Sequence, residues 1–299
     1  MTKLYRTFRG LVGRTLHGLH PRSIAWEIKH ARGSVHPIIT PLGWDGHLKV
    51  RIYSTDLVGK TIYQRRVMEP REVLLITRFL RPGMSFFDFG ANFGQYTVLA
   101  AQRVGAAGSV HSFEPSSRMF QELSFNVALN KLEGRCTLNQ VALSDTLGSA
   151  KLSRYETGAE VFGSLGTHHR RESSPIGFEE VATTTLDAYV AEHGIRRVDL
   201  IKMDIEGAEL LALRGGEGLL RRPDAPAIVL EMADVNTVGF GYHAVDTWDF
   251  LESMGYQMFS FKNRRATLVR ALRPRDFQAY QDLLAVKCRF DLWGITDQK

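Results

Sequence analysis

Four short strings in this 299-residue chain place acids, two of them beside glycines, in patterns that serve chemistry. In DFGANFGQYT, Asp88 stands two residues before Gly90, and Ala91, Asn92 and Phe93 separate that glycine from Gly94. Glycines so placed allow a tight turn and close approach of a ligand to the backbone. In HSFEPS, Glu114 falls 24 residues past Gly90, where an acid takes both hydroxyls of a ribose. Pro115 stops the preceding strand and Ser116 is placed to cap the next helix. In VDLIKMDIEGAELLALRGG, Asp204 and Glu206 follow a buried apolar run. Two acids there are costly to desolvate unless they meet a cation, a donor or a metal, or one of them opens the helix that follows. The fourth string, IVLEM, delivers Glu231, with Asp234 and His243 just beyond it.

The first two strings describe a nucleoside site. A dinucleotide site expects G-x-G-x-x-G, with its middle glycine making room for pyrophosphate. Here Asn92 fills that place and no third glycine follows. The pattern D-x-G-x-x-x-G suits S-adenosylmethionine, which carries no phosphate, and its sulfonium and ammonium groups are cations that Asp204 and Glu206 would meet. The binding set is Asp88, Gly90, Ala91, Asn92, Gly94, Glu114, Pro115 and Ser116, completed by Val141 and Ala142 at the end of a third strand.

These residues need a frame that brings strand ends together. Apolar runs predict strands at 85–89, 109–114, 136–142, 198–203, 227–231, 256–261 and 284–290, with helices near 70–80, 93–104, 117–130, 186–193, 207–220 and 244–254 between them. Such alternation builds an α/β fold, a Rossmann-like, doubly wound and mostly parallel seven-stranded sheet. Ahead of it, 48–69 reads as a β-hairpin extension in which a strand at Thr61–Tyr63 pairs with His47–Ser54, and 1–47 as a basic arm. The main domain spans 70–292. Residues 145–180 are glycine-rich and too long for a connection, which predicts a loop or lid facing the substrate.

Taken together, DFGANFGQYT, FEP, SFNVALN, KMDIEGAELLALRGGEGLL and IVLEM resemble the FkbM family of S-adenosylmethionine-dependent methyltransferases, over about residues 67–231. The resemblance implies that Asp88, Gly90, Asn92, Gly94 and Glu114 line the cofactor site and that Asp204 sits beside the transferred methyl. It further implies O-methylation of sugars, glycolipids or secondary metabolites. Methyl transfer to oxygen needs alignment and a base. Asp204, Glu231 and His243 are the catalytic candidates, with His168 and His169 as further bases. Asp204, Glu231 and Asp234 form an alternative set for Mg2+, which would acidify the hydroxyl.

Composition sets the bounds. With 44% hydrophobic and 23% charged residues the chain is an ordinary globular protein. Its two cysteines, Cys136 and Cys288, form neither a disulfide framework nor a zinc pair, which fits a reducing, cytoplasmic setting. The formal charge of +6 lies wholly in the first 50 residues. Residues 1–26 hold no acid, and Leu4, Phe8, Leu11, Val12, Leu16 and Leu19 recur at helical spacing, so this arm reads as a peripheral membrane contact, a targeting segment or a packing helix. The neutral core and the absence of an N/D-P-P-Y/F string speak against a nucleic-acid substrate. A nucleotide-dependent oxidoreductase on the same fold, or a non-catalytic module docking through the arm, are the rival readings.

Overall fold

A computed structural model gives the architecture and describes residues 36–44, 46–53, 57–154, 165, 175–262 and 265–287. The elements run β1 (Pro37–Leu42), β2 (Leu48–Tyr53), α1 (Leu57–Arg65), α2 (Pro70–Phe79), β3 (Ser85–Phe89), α3 (Gln95–Val104), β4 (Ser109–Phe113), α4 (Ser117–Leu129), β5 (Cys136–Asn139) and β6 (Ala142–Leu143). They continue as β7 (Gly148–Arg154), β8 (Gly177–Thr184), α5 (Leu186–Glu192), β9 (Leu200–Met203), α6 (Glu209–Arg214), α7 (Glu217–Leu220), β10 (Ala227–Met232), α8 (Asp234–Thr237), α9 (Ala244–Ser253), β11 (Tyr256–Phe261), β12 (Leu268–Arg270) and β13 (Gln281–Lys287).

The central sheet has the order β12-β11-β13-β10-β9-β3-β4-β5. Strands β10, β9, β3, β4 and β5 are parallel, and β13 runs antiparallel to both β10 and β11. The central strands are apolar on both faces because helices cover both. Phe86, Val110, Leu200 and Val229 pack with α2, α3 and α4, while Phe87, Phe113, Ile201 and Ile228 pack with α5, α6, α7 and α9. The period-two alternation of a strand then turns Asp88, two after Phe86, and Lys202, two after Leu200, toward α2 and α3. Strand order reverses between β3 and β9, the switch point at which such sheets bind ligands.

The doubly wound α/β expectation holds, with corrections. The sheet has eight strands, because Leu268–Arg270 adds a short antiparallel edge. Thr61–Tyr63 is helical, and the partner of β2 is Pro37–Leu42, which had read as part of the arm. Two prolines masked that strand, and an edge strand tolerates them. The third core strand ends at Asn139, while Ala142–Leu143 joins a separate three-stranded sheet ordered β6-β8-β7. Within 145–180, β7 and β8 pair antiparallel, and most of the expected loop between them, 155–164 and 166–174, lies outside the described residues. The expected helix 207–220 breaks at Gly215–Gly216, where a Cβ on Gly215 would lie 2.1 Å from the Ser144 carbonyl oxygen. The last strand begins at Gln281; its expected end, with Cys288, lies outside the described residues. So do the arm 1–26, His168 and His169. Among the described residues no helix is long and apolar enough to cross a membrane.

Candidate active site

The turn after β3 is fixed by its glycines. Gly90 has φ +75°, and a Cβ there would stand 1.9 Å from the backbone oxygen of Asp204, so β3 and β9 meet only over a bare backbone. Asp204 N–H donates to the Phe89 carbonyl at 3.1 Å, closing that junction. Asn92 sits at φ +52° and Gly94 at φ +94°, which delays α3 to Gln95. Ala91 is buried, and its N–H and that of Gly90 both donate to the Phe113 carbonyl at 3.0 Å.

Glu114 is buried at the end of β4. Its Oε2 accepts from Asn92 N–H at 2.8 Å and its Oε1 from Ser116 N–H at 2.9 Å. Burial pushes its carboxyl up to about 7, against the pull of those two N–H donors. Each oxygen keeps a lone pair for a ribose hydroxyl. Ser116 caps α4 by accepting from Met119 N–H at 3.4 Å, and Pro115 precedes it half-buried. Asp88 is also buried and pushed up to about 6 by desolvation. Its Oδ2 accepts from the Thr97 hydroxyl at 2.6 Å, while Oδ1 has no partner within the protein. That orphaned acceptor and the two-sided Glu114 fit a ligand carrying a ribose and an ammonium group, as S-adenosylmethionine does. Val141 packs at the rim of the second core and Ala142 is buried in β6, beyond the end of β5.

Asp204 lies at the carboxyl end of β9 with 34% of its side chain exposed. Its Oδ2 stands 3.4 Å from Lys202 Nζ, which also lies 3.3 Å from Glu72 Oε2. Lys202 is fully buried. Desolvation alone would lower its pKa, but Asp204, Glu72, Glu69 and Glu231 overcome this and hold it well above the usual lysine value. Behind it the Tyr96 hydroxyl stands 2.6 Å from Glu69 Oε2 and 2.9 Å from Glu72 Oε2. Burial drives Glu72 up to about 8, and its carboxyl shares a hydrogen bond with Asp282 of β13. Two such carboxyls side by side cannot both ionise cheaply. Glu231 joins this group at the end of β10, raised by burial and then by Asp204 and Glu206.

The helix after β9 is opened by neither Asp204 nor Glu206. Its N-cap is Ala208, with no side-chain cap, and Glu209 at its first turn accepts from the Ile205 and Gly207 N–H groups of the preceding turn at 3.2 Å each, while Asp204 faces Lys202 and solvent. The structure thus brings Asp88, the glycine turn, Asp204 and Glu231 to one edge of the sheet. His243 lies at the start of α9, with its backbone N–H on Asp246 Oδ2 at 2.8 Å and its Nδ1 3.6 Å from Asp234. Asp234 is spent on the Ala244 and Phe277 N–H groups, each at 2.9 Å. The expected Mg2+ set of Asp204, Glu231 and Asp234 is therefore not assembled, and among the described residues no three His, Cys, Asp or Glu side chains group as a metal site. Sequence reasoning missed Lys202, Glu72, Tyr96 and Asp282. Lys202 and Glu72 had a signal, since each interrupts an otherwise apolar face (LIKM and PREVLLI).

A parallel switch-point crevice with a buried acid after β4, a glycine turn and a partly exposed carboxylate beyond β9 is the arrangement expected of a methyltransferase of the class that uses S-adenosylmethionine. The family model described as the methyltransferase FkbM domain matches residues 88–258, and the chain belongs to that family. It is 29% identical over 183 residues to the 31-O-demethyl-FK506 methyltransferase FkbM of Streptomyces tacrolimicus, covering 53% of this chain and 68% of that one. It is 26% identical over 152 residues to the methyltransferase sdnD of Sordaria araneosa, covering 43% of this chain and 58% of the other. Similar solved structures include the METTL16 methyltransferase domain (12% identity, TM-score 0.47, covering 91% and 93%) and an O-methyltransferase of Thermotoga maritima (14%, 0.40, covering 79% and 73%).

Proposed function

We propose that this methyltransferase acts on a hydroxyl oxygen of a small acceptor: a sugar, a glycolipid or a secondary metabolite. The observation that carries the reading is Asp204, a partly exposed carboxylate backed by the buried Lys202 cation and placed against the glycine turn at the switch point. The relative from Streptomyces tacrolimicus is named for an O-demethyl substrate, which supports oxygen as the acceptor atom.

S-adenosylmethionine, when bound, supplies an activated methyl on a sulfonium whose departing thioether is neutral. The chain's own residues do the rest. Glu114 holds the ribose, the Gly90 turn lets the ligand approach the backbone, and Asp204 receives the proton of the acceptor hydroxyl as the oxygen–carbon bond forms. Lys202 balances the carboxylate before that proton arrives. Alignment of oxygen, carbon and sulfur contributes several kcal/mol and a positioned base about 10²–10⁴-fold. The test is mass spectrometry of glycan, lipid and metabolite pools from cells with the gene, without it, and with Asp204→Asn. A species one methyl heavier on hydroxylated compounds, present only with the unaltered gene, supports the reading. Unchanged pools in the deletion, or shifts confined to amines, would remove it.

A further inference from the structure

Glu114 divides the nucleoside site into two sides. Its Oε2 holds the Asn92 N–H of the glycine turn, which leads to Asp204. Its Oε1 holds the Ser116 N–H at the start of α4. A ribose bonded to Glu114 with its methyl-bearing arm toward Asp204 therefore points its base toward Ser116, Ser117 and the end of β5.

Glu179 arrives on that side from the small sheet. Along β8 the side chains alternate, so Glu179 shares the inward face with the buried Val181 while Phe178 and Glu180 are exposed. An acid inside and a phenylalanine outside is the reverse of what burial alone selects. Glu179 Oε1 accepts both from the Ser117 hydroxyl and from the Ser117 N–H, the latter at 3.2 Å. Gln140, just past β5, donates to the same Ser117 hydroxyl oxygen at 2.8 Å. The carboxylate is thus fixed through one oxygen, and both of its bonds fall on that one. Oε2 remains an acceptor. Glu179 adds to the rise of the Glu114 carboxyl, after burial and Asp88. A fixed carboxylate oxygen favours a base edge that donates. Adenine offers its 6-amino group, whereas a 6-oxo purine would set oxygen against oxygen.

We propose that Glu179, reaching from β8 over the start of α4, accepts the adenine 6-amino group and makes the small sheet a selector of adenosine. The inference rests on the cofactor reading above and adds to it a residue outside the parallel sheet. It is tested by calorimetric titration of the full chain and of Glu179→Ala with S-adenosylhomocysteine and with its 6-deamino analogue, in which purine replaces adenine. The wild type is expected to bind S-adenosylhomocysteine on the order of tenfold more tightly than the analogue, the scale of a hydrogen bond to a charged group. Glu179→Ala should lose that preference by weakening on S-adenosylhomocysteine while holding the analogue as the wild type does. Equal weakening on both ligands would mean that Glu179 only props the start of α4, and no weakening would mean that it lies clear of the base. Either result overturns the proposal and leaves the cofactor reading standing. Wild-type protein that binds neither ligand would overturn both together.

Discussion

In the proposed mechanism Glu114 serves binding and Asp204 serves chemistry, and single substitutions would separate the two. Glu114→Ala removes the acceptor of the ribose hydroxyls and should weaken S-adenosylhomocysteine binding by roughly 1.5–3 kcal/mol, as titration calorimetry would read. Because burial holds this carboxyl near 7, wild-type affinity should also fall as pH drops from about 8 to about 6, and the alanine variant should show a smaller fall, carried by Asp88 near 6. A wild-type affinity that rises on acidification would contradict the assignment. Asp204→Asn keeps shape and removes charge. Turnover should fall by about 10²–10⁴-fold with cofactor affinity much less changed, and a variant keeping more than about a third of the rate would free Asp204 of its role. Both residues were legible in the sequence, because an acid at a strand's end is conspicuous against an apolar run. The partners of Asp204 were harder to find. Lys202 comes from the same strand, but Glu72 and Asp282 approach from elements far apart in sequence, and no local spacing encodes that meeting.

At the scale of elements, the junction of β3 and β9 is the most constrained point. Gly90→Ala would drive a Cβ into the Asp204 carbonyl and strain a left-handed residue. We expect a loss of roughly 2–5 kcal/mol in denaturant stability, together with lost cofactor binding. A change below about 1 kcal/mol would show that the junction is looser than described. The central strands were readable because each is a short apolar run bounded by turn residues. The hairpin β1–β2 was half readable: LKVRIY alternates openly, but PIITPL hides its alternation behind Pro37 and Pro41. The β7–β8 pairing was hidden by the glycines and serines between its two strands, which made the whole stretch look irregular. Its inward Glu179 then went unnoticed, because nothing local distinguishes it from Glu180.

At the scale of the molecule, among the described residues, buried carboxyls outnumber the buried Lys202 that serves them. Burial raises Asp88 to about 6, Glu114 and Glu209 to about 7, and Glu72 to about 8. The native chain therefore keeps protons that the unfolded chain releases near pH 4. The stability these groups contribute is complete below that pH and is lost as pH rises through their native values. The melting temperature of the ligand-free protein should thus decline from about pH 5 to about pH 8, and a curve that climbs over that interval would contradict the picture. His111 works in the opposite direction. Burial and then His193 lower it to about 4, so its contribution is present above about pH 6.5 and is lost as pH falls toward 4. Methyl transfer to oxygen is the proposed reaction. Its most direct test incubates the full chain with S-adenosylmethionine carrying a 13C-methyl and an extract of hydroxylated metabolites and glycolipids from cells lacking the gene, then locates the label by NMR. The account predicts new methyl groups on oxygen with the wild type and nearly none with Asp204→Asn. Label found on nitrogen or carbon, or equal transfer by the variant, would contradict it.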